Sequence, residues 1–394
     1  DPTSDARPDG RAVRFLMVLP VVSRSIDADT FATESAFARH LIELRESMAD
    51  FVDELVVAGV GMSDADFANR RETLGEVRFS SDRVRFVPVL EDALGGHFAY
   101  WRRALPRALT RLVGLIRAAD IVSAGPDAYA FRPLTFPALL LGVAFRKATL
   151  ATTDIDHRRS GRMMYESGLW SSRTYLMDKL IHAVSRELQH RIIVRGADLV
   201  MLKGEELKAS YGPHRGHVKV LYDTAFAPED IISEPALEER VRRQRAATEP
   251  LRLIYFGRFV DYKGVDHMIR AVAACPSANV TLSIIGQGPE EARYRAEIER
   301  CGVEDRVAIE PPLAYGAPLF ERVRQADLLL AAPLHEDTPR SLWDAFAAGV
   351  GVVAYDTSYY AGLAGSTGAV TVVPWNDVDA VRAGLTVRAY AGER

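Results

Sequence analysis

Along this chain, short apolar runs alternate with stretches whose apolar residues recur every three or four positions. In the first half the runs predict buried strands at Val13–Leu19, Glu54–Val60, Val84–Val89, Asp120–Ser123, Thr149–Thr153, Leu199–Leu202 and Val218–Leu221. Between them the spacing predicts helices over Thr30–Ser47, Pro133–Phe145 and about Ser171–Gly196. After Phe226 the pattern changes. The segment 227–250, APEDIISEPALEERVRRQRAATEP, is charged and poor in apolar residues, and it predicts a linker carrying a short solvated helix. A second series follows, with strands at Arg252–Phe256, Val280–Ile285, Val307–Ile309, Asp327–Ala332 and Val350–Tyr355. Its helices are expected over Val265–Ala274, Glu290–Arg300, Pro318–Ala326, Pro339–Ala348 and about Val378–Ala389. Strands alternating with helices predict parallel sheets covered on both faces. Two doubly wound α/β halves, 12–226 and 251–394, joined by 227–250, would hold a ligand in the cleft between them.

A chain of 394 residues is long for one core, which supports the division. Apolar residues make up 48% and charged residues 26%, as in soluble globular proteins. A net charge of -4 argues against general nucleic-acid binding. Cys275 and Cys301 form no ligand pattern, so no disulfide framework is expected and a cytosolic, reducing setting is. No signal-peptide pattern opens the chain, and the longest apolar run, Phe136–Phe145, is too short to span a bilayer. Residues 1–11 are polar and expected to be disordered, and the start without methionine reads as processed or trimmed.

The densest chemistry lies in Leu334–Asp356, LHEDTPRSLWDAFAAGVGVVAYD. Thr338 is expected to cap a helix that begins at Pro339 and ends at Gly349, a C′ glycine. The first-turn N–H groups of such a helix suit an anion, while the carboxylates of Glu336 and Asp344 suit hydroxyls. Together they fit a sugar diphosphate. Upstream, YFGRFVDYKGVD turns sharply at Gly257 and brings Arg258 and Lys263 to the carboxyl end of a strand, a trap for a diphosphate. The plainer reading of both cations is solvated loop charge. The run SIIGQGPEE places Gly286 and Gly288 where a strand turns into a helix, allowing close backbone approach to a ligand. It is neither a P-loop nor the dinucleotide fingerprint.

GRFVDYKG, IIGQGPEE and HEDTPRSLWDAFAAGVGVVAYD, in this order and spacing, resemble the retaining GT-B glycosyltransferases, specifically the GT4-like group. The resemblance is strongest over Leu251–Asp356 and is architectural over Val13–Phe226. It implies a GT-B fold of two Rossmann-like domains: an N-terminal acceptor domain and a C-terminal nucleotide-sugar donor domain. It also implies that Arg258 and Lys263 bind the donor diphosphate, with Gly257 and the backbone N–H groups of Arg340 and Ser341 facing it. Glu336 then contacts the transferred sugar. Asp344 takes the ribose-binding position, where the family prefers a glutamate one methylene longer. The implied reaction is metal-independent, retaining sugar transfer from a nucleoside-diphosphate donor to a hydroxyl acceptor, in polysaccharide or glycolipid assembly, with no cofactor.

Two features depart from that pattern. The loop after the first strand, LPVVSRSIDAD, has no glycine. Where many relatives carry a histidine, ATTDIDHRRS puts Asp154 nearest, with Asp156 and His157 just beyond. Asp154 is the candidate to orient acceptor or donor sugar; the plainer reading is a turn-forming aspartate. Asp154-x-Asp156 also resembles a D-x-D metal motif, but the surrounding architecture is wrong for it and no metal is assigned. The Glu310–Ala314 loop lies where a base could dock. In Trp101–Arg117, Arg103, Arg107 and Arg111 line one helical face and Leu105, Leu109, Leu112 and Ile116 another. Such a helix could rest on the inner face of an anionic membrane, near a lipid-linked acceptor, or simply pack on its own domain. Rival functions are nucleotide-sugar epimerisation or hydrolysis, and an inactive nucleotide-sugar binding module. Relatives usually carry a further C-terminal helix that returns to the first domain, whereas room for one helix, about Val378–Ala389, follows Trp375 here; either the chain is trimmed or its halves are expected to be tethered by 227–250 alone.

Overall fold

Both apolar series fold into parallel sheets with the same strand order. The structure is a computed structural model that describes residues 12–91, 96–222, 224, 226–246, 250–275 and 280–390. The segment 1–11, expected to be disordered, and the stretch 247–249 of the expected linker lie outside the described residues.

The first series gives β1 (Arg14–Ser25), β2 (Thr30–Glu34), β3 (Glu54–Gly61), β4 (Leu74–Arg78), β5 (Val84–Glu91), β6 (Ile121–Ala124), β7 (Ala148–Thr153), β8 (Leu199–Lys203) and β9 (Val218–Leu221). The second gives β10 (Leu251–Phe256), β11 (Val280–Ile285), β12 (Val307–Glu310), β13 (Leu328–Ala331), β14 (Gly351–Tyr355) and β15 (Val370–Val373). The parallel part of the first sheet runs β5-β3-β1-β6-β7-β8, and the second runs β12-β11-β10-β13-β14-β15. Each half therefore has the doubly wound order in which the first strand lies between the second and the fourth. One addition was not anticipated. Thr30–Glu34, expected to open a helix, pairs antiparallel with the far end of β1 and with β4, and the helix starts only at Ser35.

The chain forms two compact units: Asp1–Thr153, Leu180–Leu202 and Lys208–Leu221, and Asp154–Lys179, Lys203–Leu207 and Tyr222–Arg394. Residues 154–179, read from sequence with the first half, thus belong with the second. The charged segment expected as a linker also packs there. Its helix, Glu234–Ala246, sends Arg243 to Asp327 at 3.0 Å and Arg240 to the carbonyls of Arg324 and Ala326, while Ile232 N–H donates to Ala347 O at 2.7 Å.

Alternate residues of β10 feed opposite faces of the second sheet. Leu253 and Tyr255 join Ile269, Leu282 and Tyr294 on one side; Ile254 and Phe256 join Phe320, Leu342 and Tyr360 on the other. In the first unit, Phe15, Leu41, Leu55, Val57 and Phe86 share one core. There the helix Leu105–Ala118 turns Leu105, Leu112 and Ile116 inward and leaves Arg107 and Arg111 exposed, as is Arg103 in the turn before it. The buried positions of this helix pack within its own unit, while Trp101 just ahead of it is exposed. Among the described residues no helix is long and apolar enough to cross a membrane.

Candidate active site

In the second unit the strand order reverses between β10 and β13, which lie side by side although β11 and β12 separate them in the chain. Ligands of open α/β sheets bind outside the carboxyl ends of the strands at such a reversal. Two loops emerge there, 257–264 and 332–340, and they are tied together. Leu334 N–H donates to Tyr262 O at 2.8 Å, the Tyr262 and His335 rings lie 4.4 Å apart, and Lys263 Nζ pairs with Asp337 Oδ2. Gly264, at φ 62°, lets the first loop close against the second, since a side chain there would run into the Ala332 carbonyl.

The two glycines of the next loop have a structural reason of their own. A side chain at Gly286 or Gly288 would strike the backbone of Gly257 or Phe259, and these loops exchange Gly257 N–H to Ile285 O at 3.0 Å and Phe259 N–H to Gln287 O at 2.9 Å. The glycines thus allow close approach of backbone to backbone between the two loops. Arg258 is exposed, with Nη2 3.3 Å from the Tyr262 hydroxyl, and its carbonyl accepts the Tyr255 hydroxyl at 2.9 Å.

Glu336 is 2% exposed, and its carboxylate is held on three sides. Ser358 N–H, at the start of the helix Ser358–Thr367, donates to Oε2 at 3.1 Å; Ser358 Oγ donates to Oε1 at 3.0 Å; Arg159 Nε lies 3.4 Å from Oε1. Burial pushes the Glu336 carboxyl above the usual glutamate range, opposed by the Ser358 N–H and the Arg159 charge. The charge of Asp156 adds to the rise. His335 next to it is lowered, chiefly by burial, and its Nδ1 bonds the Glu336 carbonyl, so Nδ1 carries the proton.

The helix after Glu336 starts later than its sequence predicts. It spans Ser341–Ala347, with Arg340 at the N-cap and no side-chain capping bond, so Thr338 and Pro339 stay in the loop. Contacts of Leu334, His335 and Asp337 with the first loop hold this stretch out of helix, and a residue before proline favours extended backbone. The C-terminal expectation holds: Gly349 sits at φ 72° just past the helix. Arg340 and Ser341 stand at the helix start, and Asp344, buried, accepts the Tyr315 hydroxyl at 2.7 Å. Tyr315 directly follows the Glu310–Ala314 loop proposed for a base. Glu310 itself is tied to Arg322 at 2.6 Å, which lowers its pKa.

Of the three residues proposed for the missing histidine position, Asp154 is exposed at the end of β7. Asp156 caps the helix His157–Glu166, accepting Arg158 N–H at 2.9 Å, and His157 begins that helix. The contact to Glu336 comes from Arg159, which sequence reasoning missed. It also missed Ser358, because SYYAGLAGST shows no amphipathic period to announce a helix. Among the described residues no group of three or more His, Cys, Asp or Glu side chains is arranged to hold a metal ion.

Comparison with known proteins adds to this geometry. The family described as Glycosyl transferases group 1 matches residues 238–386. A 2-deoxystreptamine glucosyltransferase of Streptomyces kanamyceticus is 26% identical over 202 residues, 50% of this chain and 51% of that protein. An exopolysaccharide phosphotransferase of Streptomyces coelicolor is 36% identical over 117 residues, 29% of this chain and 12% of that protein. The matched stretch thus spans about half the length of the first relative and about an eighth of the second. Among solved structures, WaaG, a glycosyltransferase involved in lipopolysaccharide biosynthesis, matches with TM-score 0.63 and 15% identity over 95% of this chain and 90% of its own. Anabaena HepE in complex with UDP matches with TM-score 0.59 and 16% identity over 97% and 91%. Sucrose-phosphate synthase from Thermosynechococcus elongatus matches with TM-score 0.56 and 15% identity over 97% and 90%. At these identities the likeness is one of fold: the chain has the GT-B fold, with two Rossmann-like α/β domains.

Proposed function

We propose that this chain is a retaining, metal-independent glycosyltransferase of the GT4-like group. In this reading it moves a sugar from a nucleoside-diphosphate donor to a hydroxyl acceptor in polysaccharide or glycolipid assembly. The observation that carries the reading is the pairing of two loops at the β10/β13 reversal, one bearing Arg258 and Lys263 and the other the buried Glu336. The family match over residues 238–386 covers both loops. HepE, solved with UDP-glucose, supports a nucleotide-sugar donor on this fold.

The residues then divide the work. Arg258 and Lys263 hold the diphosphate, and Lys263 exchanges Asp337 for it on binding. First-turn N–H groups lack intrahelical acceptors, so those of Arg340 and Ser341 add donors at the same place. Gly257, Gly286 and Gly288 shape the diphosphate loop, and Asp344 takes the ribose. The bond from the sugar C1 to the phosphate oxygen breaks, and a new bond from C1 to the acceptor oxygen forms on the same face. The acceptor proton passes to the departing phosphate oxygen, whose growing charge Arg258 and Lys263 stabilise. Glu336, fixed by Ser358 and Arg159, accepts hydrogen bonds from sugar hydroxyls. Asp154 is the proposed group for orienting the acceptor or the donor sugar.

A thermal-shift panel of UDP, GDP, ADP and their sugars tests the donor class, since a ligand of the folded state adds about 2.7 kcal/mol at a hundred times its dissociation constant. The donor that binds is then incubated with and without hydroxyl acceptors, and the anomeric configuration of the product is read by NMR. Epimer or free sugar formed in full without acceptor would instead make the chain an epimerase or hydrolase. Binding without turnover would make it a binding module.

A further inference from the structure

The first sheet has a reversal of its own, between β1 and β6, and the loop that leaves β6 there spans 125–134. Open α/β sheets take ligands at such a place. This loop is fastened along its length. Asp127 N–H donates to Gln189 Oε1 at 2.7 Å, Ala128 O accepts from Arg186 Nη1 at 3.0 Å, and Ala130 N–H donates to His182 Nδ1 at 3.2 Å. Phe131 O accepts Trp101 Nε1–H at 3.0 Å, and Pro133 O accepts the Tyr100 hydroxyl at 2.6 Å. Among the described residues the turns Tyr100–Ala104 and Asp178–His182 are π-helical, wider than the α-helical turns around them. Such turns are rare and frequently sit at functional sites. The first carries Trp101 and the second ends on His182, so both supply fasteners of this loop.

What the fastened loop and its neighbours present outward is aromatic. Phe98 is 76% exposed, Tyr129 63% and Trp101 48%. The rings form one connected surface. Tyr129 packs on His182 at 5.2 Å, His182 on Phe131 at 5.3 Å, and Phe131 on His97 at 5.5 Å. Phe98 follows His97 in the chain. Polar groups interleave with the rings: the Arg102 guanidinium stands 5.9 Å from the centre of the Phe98 ring, and His97 is exposed. Aromatic side chains lose little conformational entropy on binding, and loops held by a rigid scaffold commonly carry recognition.

We infer that Phe98, Trp101 and Tyr129 form a platform on which the sugar rings of an oligosaccharide stack. The negative face of an aromatic ring attracts the weakly positive C–H face of a sugar, and the sugar hydroxyls meet the Arg102 and His97 groups at the edge. A purely apolar partner would bury those polar groups without hydrogen bonds, which costs free energy. That the oligosaccharide is the acceptor rests on the proposed transfer reaction; its binding does not.

Saturation-transfer difference NMR of the full chain with maltotetraose, cellotetraose, mannotetraose and lactose, without nucleotide, tests it. The double variant Phe98→Ala, Tyr129→Ala changes only exposed positions, and thermal unfolding checks that it remains folded. The expected result is transfer to the ring C–H protons of at least one of these sugars, with affinity about tenfold weaker in the double variant and nucleoside-diphosphate binding unchanged. Three outcomes would overturn the inference: no transfer to any of the four sugars, equal binding by the double variant, or a concentration-dependent dimer that the double variant abolishes. Sugar binding lost in the variant, in a chain that binds no nucleotide, would sustain the platform and remove the transfer reaction. Sugar transfer whose acceptor KM the double variant leaves unmoved would do the reverse.

Discussion

Arg159 Nε lies 3.4 Å from Glu336 Oε1, and Arg159 Nη1 lies 2.5 Å from the Ser358 hydroxyl that donates to the same carboxylate oxygen. Three separate elements converge here: the helix His157–Glu166, the loop after β13 and the helix Ser358–Thr367. A buried carboxylate needs such partners to stay charged. Arg159 is therefore a positioning residue for Glu336.

Its removal has a signature in pH. Burial raises the Glu336 pKa and Arg159 opposes the rise, so losing the guanidinium raises it further. The charged form, proposed to accept sugar hydroxyls, is lost as pH falls through that value. Arg159→Ala is expected to move the acid limb of kcat/KM to higher pH, and an unmoved limb would separate the two residues. Glu336→Gln removes a charge-assisted hydrogen bond worth about 1.5–3 kcal/mol, and kcat/KM is expected to fall about ten- to a hundredfold.

The Lys263–Asp337 pair predicts opposite effects from its two members. Lys263→Ala removes the contact proposed for the diphosphate and should weaken nucleoside-diphosphate binding about tenfold or more. Asp337→Asn frees Lys263 from its carboxylate and should tighten binding. Isothermal titration calorimetry of both variants reads this directly, and weakening by both would show that Asp337 serves the ligand rather than competing with it.

Gly264 and Gly302 both sit at φ 62°, but only Gly264 faces a backbone carbonyl within reach of a side chain. Gly302→Ala should cost about 1–2 kcal/mol, the strain of left-handed backbone alone. Gly264→Ala should cost more and should also loosen the two loops. Denaturant unfolding of the pair gives the comparison, and nucleotide affinity should fall for Gly264→Ala only.

Glu297 pairs with Arg300 of its own helix at 2.6 Å and, across to the helix Val265–Ala273, with Arg270. The Arg300 hydrogen bond is the largest cause that pulls its pKa down to about 2, with Arg270 adding to it. Because the folded-state value is depressed, this stabilisation is fully present above the ordinary glutamate range and is lost as pH falls towards about 2. Both arginines are substantially exposed, so the pair contributes about 1 kcal/mol at neutral pH. Glu297→Gln should lower stability there by about that amount and flatten the acid dependence between pH 5 and pH 2, read from urea midpoints over the pH series.

The sequence by itself determined what is local. Apolar runs placed the parallel strands, three- and four-residue spacing placed most helices between them, and Gly349 marked its helix end, because each depends on neighbours a few positions away. The loops bearing Gly257, Arg258, Lys263 and Glu336 were legible for the same reason. Tertiary structure decided which loops meet. Only the sheet order sets β10 beside β13 and so ties Tyr262 to His335 and Lys263 to Asp337. It also set Arg159 and Ser358 on Glu336, moved the helix start from Pro339 to Ser341, and turned Thr30–Glu34 into a strand. Such contacts join residues far apart in the chain, and no local period records them.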